Sequence, residues 1–368
     1  MDHKNKNTRI HFLDTSRVIA VLLVSFGHII LCGVSEGDTL TRFFGEATKG
    51  SYPILSHFNT KFINFNYFIG TAGTGVCLFF LITGYIIPLA LLKTKGGVVD
   101  FLIARFFRIF PPALLVLIVV HIFLILTFKI DFNFTDFFKS YLNQLLPGII
   151  DNNNVFHSFE PFWTLSIEII FYILIAFAGK TINFWSVVLM QIMFVLFYIR
   201  TKFACFGFIV FILFGSLFLF IETEFKKENK ITKKLISQIL LSCIILMICF
   251  RINKAIPVYP QITFNYSLLI FFGLYFTHLL KFSVPKFIKG VVNVIADFSY
   301  SFYLLHVPVG MGFAVFLKIH YNITNPYIQV FAALVLCFVM SYICSTFFEK
   351  PSTKFGKFLI KKFETKKI

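Results

Sequence analysis

The signatures of a metal centre, a nucleotide-driven pump and a disulfide framework are all missing from this sequence. Its seven cysteines, Cys32, Cys77, Cys205, Cys243, Cys249, Cys337 and Cys344, form no Cys-x-x-Cys pair and lie in or beside apolar runs. They read as small buried hydrophobes, so neither disulfides nor a metal site is expected. No Gly-x4-Gly-Lys-Ser/Thr stretch cradles a phosphate, which disfavours an ATP-driven pump. The His-x4-Asp pattern of soluble acyltransferases is absent too. No internal repeat is visible, which weakens a transporter built from inverted repeats. The first apolar run is broken by charge and lacks a small-x-small exit, so no cleavable signal peptide is expected.

Charge is also scarce. Only 14% of the 368 residues are Asp, Glu, Lys or Arg, against 58% hydrophobic ones including 54 phenylalanines, and the mean hydropathy is +0.83. A soluble domain this apolar could not cover its own surface, so the class is polytopic membrane protein. The charge present is lopsided, at a net +17. Such a balance can mark a nucleic-acid binder, but here Lys and Arg sit between the apolar runs and at both ends. That is the imprint of membrane topogenesis and anionic headgroups, and no nucleic-acid partner is expected.

Apolar runs predict ten helices, at about 12–33, 73–92, 109–128, 160–179, 182–199, 203–221, 235–251, 262–280, 294–317 and 327–348. The N-terminus, the even-numbered connections and the tail hold 23 Lys and Arg; the odd-numbered connections hold 10, with Arg17 left inside the first run. This bias puts both termini in the cytoplasm, in agreement with an even number of spans. The expected architecture is one integral-membrane domain over residues 1–368, an all-α bundle of about ten transmembrane helices ending in a basic cytoplasmic tail, 349–368. Two outer connections, 34–72 and 129–159, are long, and DNNN at 151–154 reads as a turn. Loops of this kind either cover a binding site or are tolerated insertions. The basic tail can bind anionic membrane lipid, although topology control alone accounts for it.

Against this background the ionisable residues inside apolar runs stand out. LDTSRVIAVLLVSFGHII, residues 13–30, carries Asp14, Arg17 and His28. Arg17 and His28 are eleven residues apart, so on a helix they point within about 20° of each other and about 16 Å apart along the axis. Asp14 is spaced to pair with Arg17, which either snorkels to the inner interface or faces a pathway. In EPFWTLSIEIIFYIL, residues 160–174, Glu168 falls about two turns in, at the depth of His28. A bare carboxylate there would cost several kcal/mol, so Glu168 needs a proton or a partner. A His28–Glu168 pair would satisfy both groups, as a structural bridge or as a base and its orienting carboxylate, with Tyr172 one turn on.

A second tier lies nearer the inside. ARFFRIFPP, residues 104–112, places Arg105 and Arg108 on one face at the expected start of the third helix, followed by Pro111 and Pro112. Two guanidiniums beside a helix N-terminus suit a phosphate, and they also suit plain positive-inside anchoring. FSYSFYLLHVP, residues 298–308, sets His306 near mid-membrane beside a proline break that can free backbone groups for binding. FFEKP, residues 347–351, is expected to end the tenth helix with Glu349 within reach of the inner arginines.

In this order the motifs resemble the integral-membrane acyltransferase-3 family, which includes O-acetyltransferases of bacterial surface polysaccharides. The resemblance rests on Arg17-x10-His28, GVCLFFLITGY at 75–85, RFFRIFP at 105–111, FWTLSIEIIFY at 162–172, YSFYLLHVP at 300–308 and EKP at 349–351. Thr83 stands where the family often has serine. The extracytoplasmic SGNH-type domain of many members has no counterpart in the residues after the tenth helix.

The resemblance implies a ten-helix bundle of the bacterial inner membrane that passes an acyl group, usually acetyl, from cytoplasmic acyl-CoA to a hydroxyl of an extracytoplasmic glycan or lipid-linked oligosaccharide. It implies roles for Arg17, His28 and Glu168 in the reaction and for Arg105 and Arg108 at the donor. Acyl-CoA is then a co-substrate and no bound cofactor is expected. His28, oriented by Glu168, would act as general base, or would carry the acyl group covalently. His306 would orient the acceptor or stabilise developing charge, with Tyr172, Asp14 and Glu349 in support. The competing class is a transporter or flippase for a lipid-linked sugar, with the same ionisable residues forming its path.

Overall fold

The computed structural model describes residues 10–31, 70–129, 162–201, 204–228, 232–253, 261–282 and 284–365, with positions 133, 135 and 138. Most of the two long connections, the DNNN turn among them, falls outside the described residues. The described helices are α1 (His11–Leu31), α2 (Thr71–Lys93), α3 (Val98–Phe128), α4 (Trp163–Ala178), α5 (Phe184–Thr201), α6 (Ala204–Glu228), α7 (Lys233–Asn253), α8 (Gln261–Leu279), α9 (Lys286–Leu305), α10 (Gly312–Tyr321), α11 (Pro326–Cys344) and α12 (Lys350–Thr365). A π turn over His306–Met311 joins α9 to α10, and another over Ser345–Glu349 joins α11 to α12. Counting each joined pair as one rod gives ten, the number the apolar runs predict. Among the described residues seven rods are long and apolar enough to cross a membrane, and Phe184–Arg200 is a shorter apolar helix.

The bundle is organised around α2. Its run of small residues at 71–75 lets α1 come close: a Cβ on Gly75 would lie 2.6 Å from the Ala20 carbonyl oxygen, and one on Gly27 would lie 2.5 Å from the Ala72 nitrogen. Further along, Gly84 meets Gly215 of α6, where a Cβ on Gly84 would fall 1.8 Å from the Ile212 carbonyl oxygen. Lipid is as apolar as Leu, so helices in a bilayer gain from such close backbone contact rather than from burying hydrophobes. Ser216 Oγ caps the crossing by donating to the Gly84 carbonyl at 2.7 Å. Beyond it, buried Glu222 accepts from Tyr85 Oη and from Lys226 Nζ, tying α2 to α6.

Prolines sit inside four rods, and in all but α2, which holds Pro88, they bend the expectations about where helices start and stop. α3 begins at Val98, well before the predicted 109, so Pro111 and Pro112 lie in its interior and not in its first turns. Each proline removes an N–H, here orphaning the carbonyls of Phe107 and Arg108. Ser352 Oγ of α12 donates to the Phe107 carbonyl at 2.5 Å, and Tyr300 Oη of α9 donates to the Ile109 carbonyl at 3.1 Å. Pro308 and Pro351 likewise fail to end their helices. The π turns widen the backbone where a proline ring would clash with the carbonyl four residues back, and the rods run on. The tenth rod therefore reaches Thr365 rather than stopping near Glu349.

Candidate active site

Three arginines converge on one cavity. Arg17 from α1 and Arg105 and Arg108 from α3 line it together with Glu168 and Tyr172 from α4, and it encloses about 830 Å³ of empty space, its open mouth included. Arg17 Nη1 pairs with buried Asp14 at 3.1 Å, as the i, i+3 spacing predicts. Arg105 lies over two aromatic rings that meet edge to face, its guanidinium carbon 5.5 Å from the Phe101 centroid and 5.7 Å from that of Tyr172. Its buried Nε has no hydrogen-bond partner among the described residues. Glu349, from the π turn ahead of α12, accepts from Ser301 Oγ at 3.0 Å and interacts electrostatically with Arg108 and Arg17.

The longer α3 changes the character of the arginine pair. Arg105 and Arg108 lie in the second and third turns of α3, not beside its N-terminus, so no helix end contributes to an anion site there. What favours an anion is the charge of the cavity wall itself, three guanidiniums against one carboxylate.

Glu168 is not where a His–Glu pair requires it. Its carboxylate accepts from Tyr172 Oη and faces the arginine-lined cavity, while His28 is not part of that wall. The physical reason is the choice available to a buried carboxylate. One helical turn away a phenol donates to it, and two guanidiniums share the space, so burial is offset without an imidazole. The sequence places Glu168 and His28 at one depth, but equal depth on two helices does not make a contact.

His28 instead meets the other histidine. Its ring centroid lies 5.2 Å from that of His306, with the planes inclined by 53°. Ile29, next to His28, packs against Gly310 of the π turn, where any side chain would be crowded by Ile29 and by Cys337 Sγ. His306 is 1% exposed. Its Nδ1 lies 2.5 Å from the Tyr303 carbonyl oxygen, and since a carbonyl only accepts, Nδ1 carries the proton. Nε2 of the same ring is buried and has no partner among the described residues.

Tyr303 joins the two groups, a role that the ionisable residues of the sequence do not point to. It lines the arginine cavity, its hydroxyl accepts from Thr164 Oγ1 at 3.0 Å, and its ring packs against His306 at 5.5 Å between centroids. The signal was present in YSFYLLH, where Tyr303 and His306 share a helix face three residues apart. Ser299 and Tyr300, one turn earlier, also line the cavity.

Compared with protein families, the chain matches over residues 10–346 the model of the acyltransferase-3 family, described as an acyltransferase domain. No curated protein and no solved structure matches it.

Proposed function

Because the chain belongs to the acyltransferase-3 family and is an acyltransferase with membrane-spanning helices, we propose that it moves an acyl group, acetyl first of all, from cytoplasmic acyl-CoA to a hydroxyl of an extracytoplasmic glycan such as O-antigen, capsule or exopolysaccharide. Family membership displaces the transporter reading. In this scheme both termini lie in the cytoplasm of a bacterial cell and the bundle spans the inner membrane. The coenzyme A phosphates rest against Arg105 and Arg108. Arg17, paired with Asp14, positions the pantetheine arm or the thioester. The histidine pair serves the acyl carbon and the acceptor hydroxyl, by direct transfer or through an acyl-histidine. Glu168 belongs with Tyr172 on the donor side, where it holds the arginines in place.

The observation that carries this reading is the division of the polar groups. Cations line a cavity at one level, a histidine pair lies at another, and Tyr303 touches both. An anionic donor and a neutral hydroxyl need such different surroundings, guanidiniums for phosphate and a basic nitrogen for proton transfer. The test is mass spectrometry of surface glycans from cells carrying the wild type, His28→Ala or no protein. The added mass of one acetyl group is expected only with the wild type. The same added mass with a well-expressed His28→Ala would remove His28 from the chemistry.

A further inference from the structure

We propose that His306 Nε2 is the atom that takes the proton from the acceptor hydroxyl, which makes His306 a catalytic residue and its surroundings the acceptor subsite. The inference rests on the acyl-transfer reading above and deepens it.

Three independent observations meet at this nitrogen. The first is the hydrogen-bond arithmetic of the ring. Nδ1 donates to the Tyr303 carbonyl at 2.5 Å, so in the uncharged imidazole Nε2 is a bare lone pair. The second is burial without a partner. A buried acceptor left unpaired is costly, and a ring lodged in a packed bundle keeps such an atom where a ligand's O–H completes it. The third is the backbone beneath it. His306 opens the π turn His306–Met311, whose Pro308 lacks an N–H, while Cys337 Sγ reaches across to the Leu305 carbonyl at 3.9 Å. Isolated π turns inside α-helices recur at functional sites because they re-aim a side chain that a regular helix would hold elsewhere. Here the turn presents His306 to His28 on one side and to Tyr303, a wall of the donor cavity, on the other.

The chemistry balances without any further reactant. The acceptor oxygen forms a bond to the acyl carbon as its O–H bond breaks, and the proton passes to His306 Nε2. The C–S bond of the thioester breaks with its electron pair going to sulfur. The proton is then returned from the histidine pair to sulfur, so the products are an ester and a free thiol. The ligand class is a neutral alcohol, as a sugar supplies.

The experiment uses full-length protein in lipid nanodiscs with acetyl-CoA and compares two kinds of acceptor. Methyl glucoside, methyl galactoside and water are oxygen nucleophiles that need a base. Hydroxylamine attacks an acyl group without one and gives acetohydroxamate. His306→Asn keeps an N–H near the position of Nδ1 and lacks Nε2; His306→Ala removes the whole ring. In both variants transfer to oxygen should fall about a hundred-fold or more, the range of a lost general base. Hydroxamate formation should fall by less than about three-fold, a split that misfolding does not produce. A parallel fall of both reactions would make His306 a packing residue and overturn the proposal, as would transfer to oxygen at the wild-type rate. If the wild type formed neither ester nor hydroxamate, the acyl-transfer reading would fall and this inference with it.

Discussion

At the scale of single residues, the proposed donor role of Arg105 rests on its shape as much as on its charge. Its guanidinium lies over Phe101 and Tyr172, and its Nε is buried without a partner. Arg105→Lys keeps the cation but gives up the flat face and the Nε donor. The KM for acetyl-CoA should rise about ten-fold, roughly 1.4 kcal/mol, with kcat within about two-fold of wild type. Initial-rate kinetics on purified protein check this, and an unchanged KM would reduce Arg105 to a point charge. The sequence singles out Arg17, Arg105, Arg108, Glu168 and Tyr172, and the structure brings these five to one wall, with Glu168 among the arginines and not at the tier of His28. Partnerships were less legible. Asp14–Arg17 is local, fixed by i, i+3 spacing, and was readable. The match of His28 with His306 rather than Glu168 depends on how three helices are rotated, and residue depth carries no information about rotation.

At the scale of helices, hydropathy located the rods well because each must fill a bilayer, and it misjudged their ends for the same reason. α3 has 31 residues, about 46 Å, and Tyr327–Phe363 has 37, about 55 Å, both beyond a hydrocarbon core of about 30 Å. Their surplus is interrupted by charge, Asp100, Arg105 and Arg108 in α3 and the lysines of α12, so an apolar window stops short of it. The prolines added to the misreading, since Pro351 looks like a stop until a π turn carries the helix past it. Contacts between rods follow the small residues, and that gives a sharp test. Gly84→Ala drives a methyl group into the Ile212 carbonyl, backbone against backbone, at the crossing of α2 and α6. Overpacking of this kind costs about 1–3 kcal/mol or more, and the variant should unfold at lower temperature in detergent. Gly273→Ala in α8, with no neighbouring atom within 4 Å of the new methyl group, should leave the transition where it is or raise it. Equal stability of the two variants would mean that the α2–α6 crossing is looser than the backbone contact implies.

At the scale of the whole molecule, the two ends of the chain meet at the same arginines. α1 supplies Arg17, and the last rod supplies Glu349 before running on as α12 along α3. α12 is polar and lysine-rich, with Phe355, Phe358 and Phe363 exposed, and sequence alone reads it as a topological anchor. Its contacts assign it more. Ser352 Oγ fills the Phe107 carbonyl that Pro111 leaves open, the Phe355 ring meets Phe107 at 5.3 Å, and Gly356 lies so close that a Cβ would be 2.8 Å from Phe107 Cβ. Phe107 stands between Arg105 and Arg108, so the tail braces the turn of α3 that carries both guanidiniums. The family match ends at residue 346 and does not extend to this brace. Ending the chain at Pro351 would remove α12 while keeping Glu349 and both histidines. The shortened protein should still enter the membrane, because every described rod long and apolar enough to cross it keeps at least a span's length. Its α3 would keep an unpaired carbonyl at Phe107 beside a proline pair, freer to bend, and the arginines would lose their fixed spacing. The expected result is a KM for acetyl-CoA about ten-fold higher with kcat largely kept, and Ser352→Ala should move KM in the same direction by less. Should the truncated protein bind its donor as tightly as the full chain, α3 holds its arginines unaided and α12 returns to the role of an anchor.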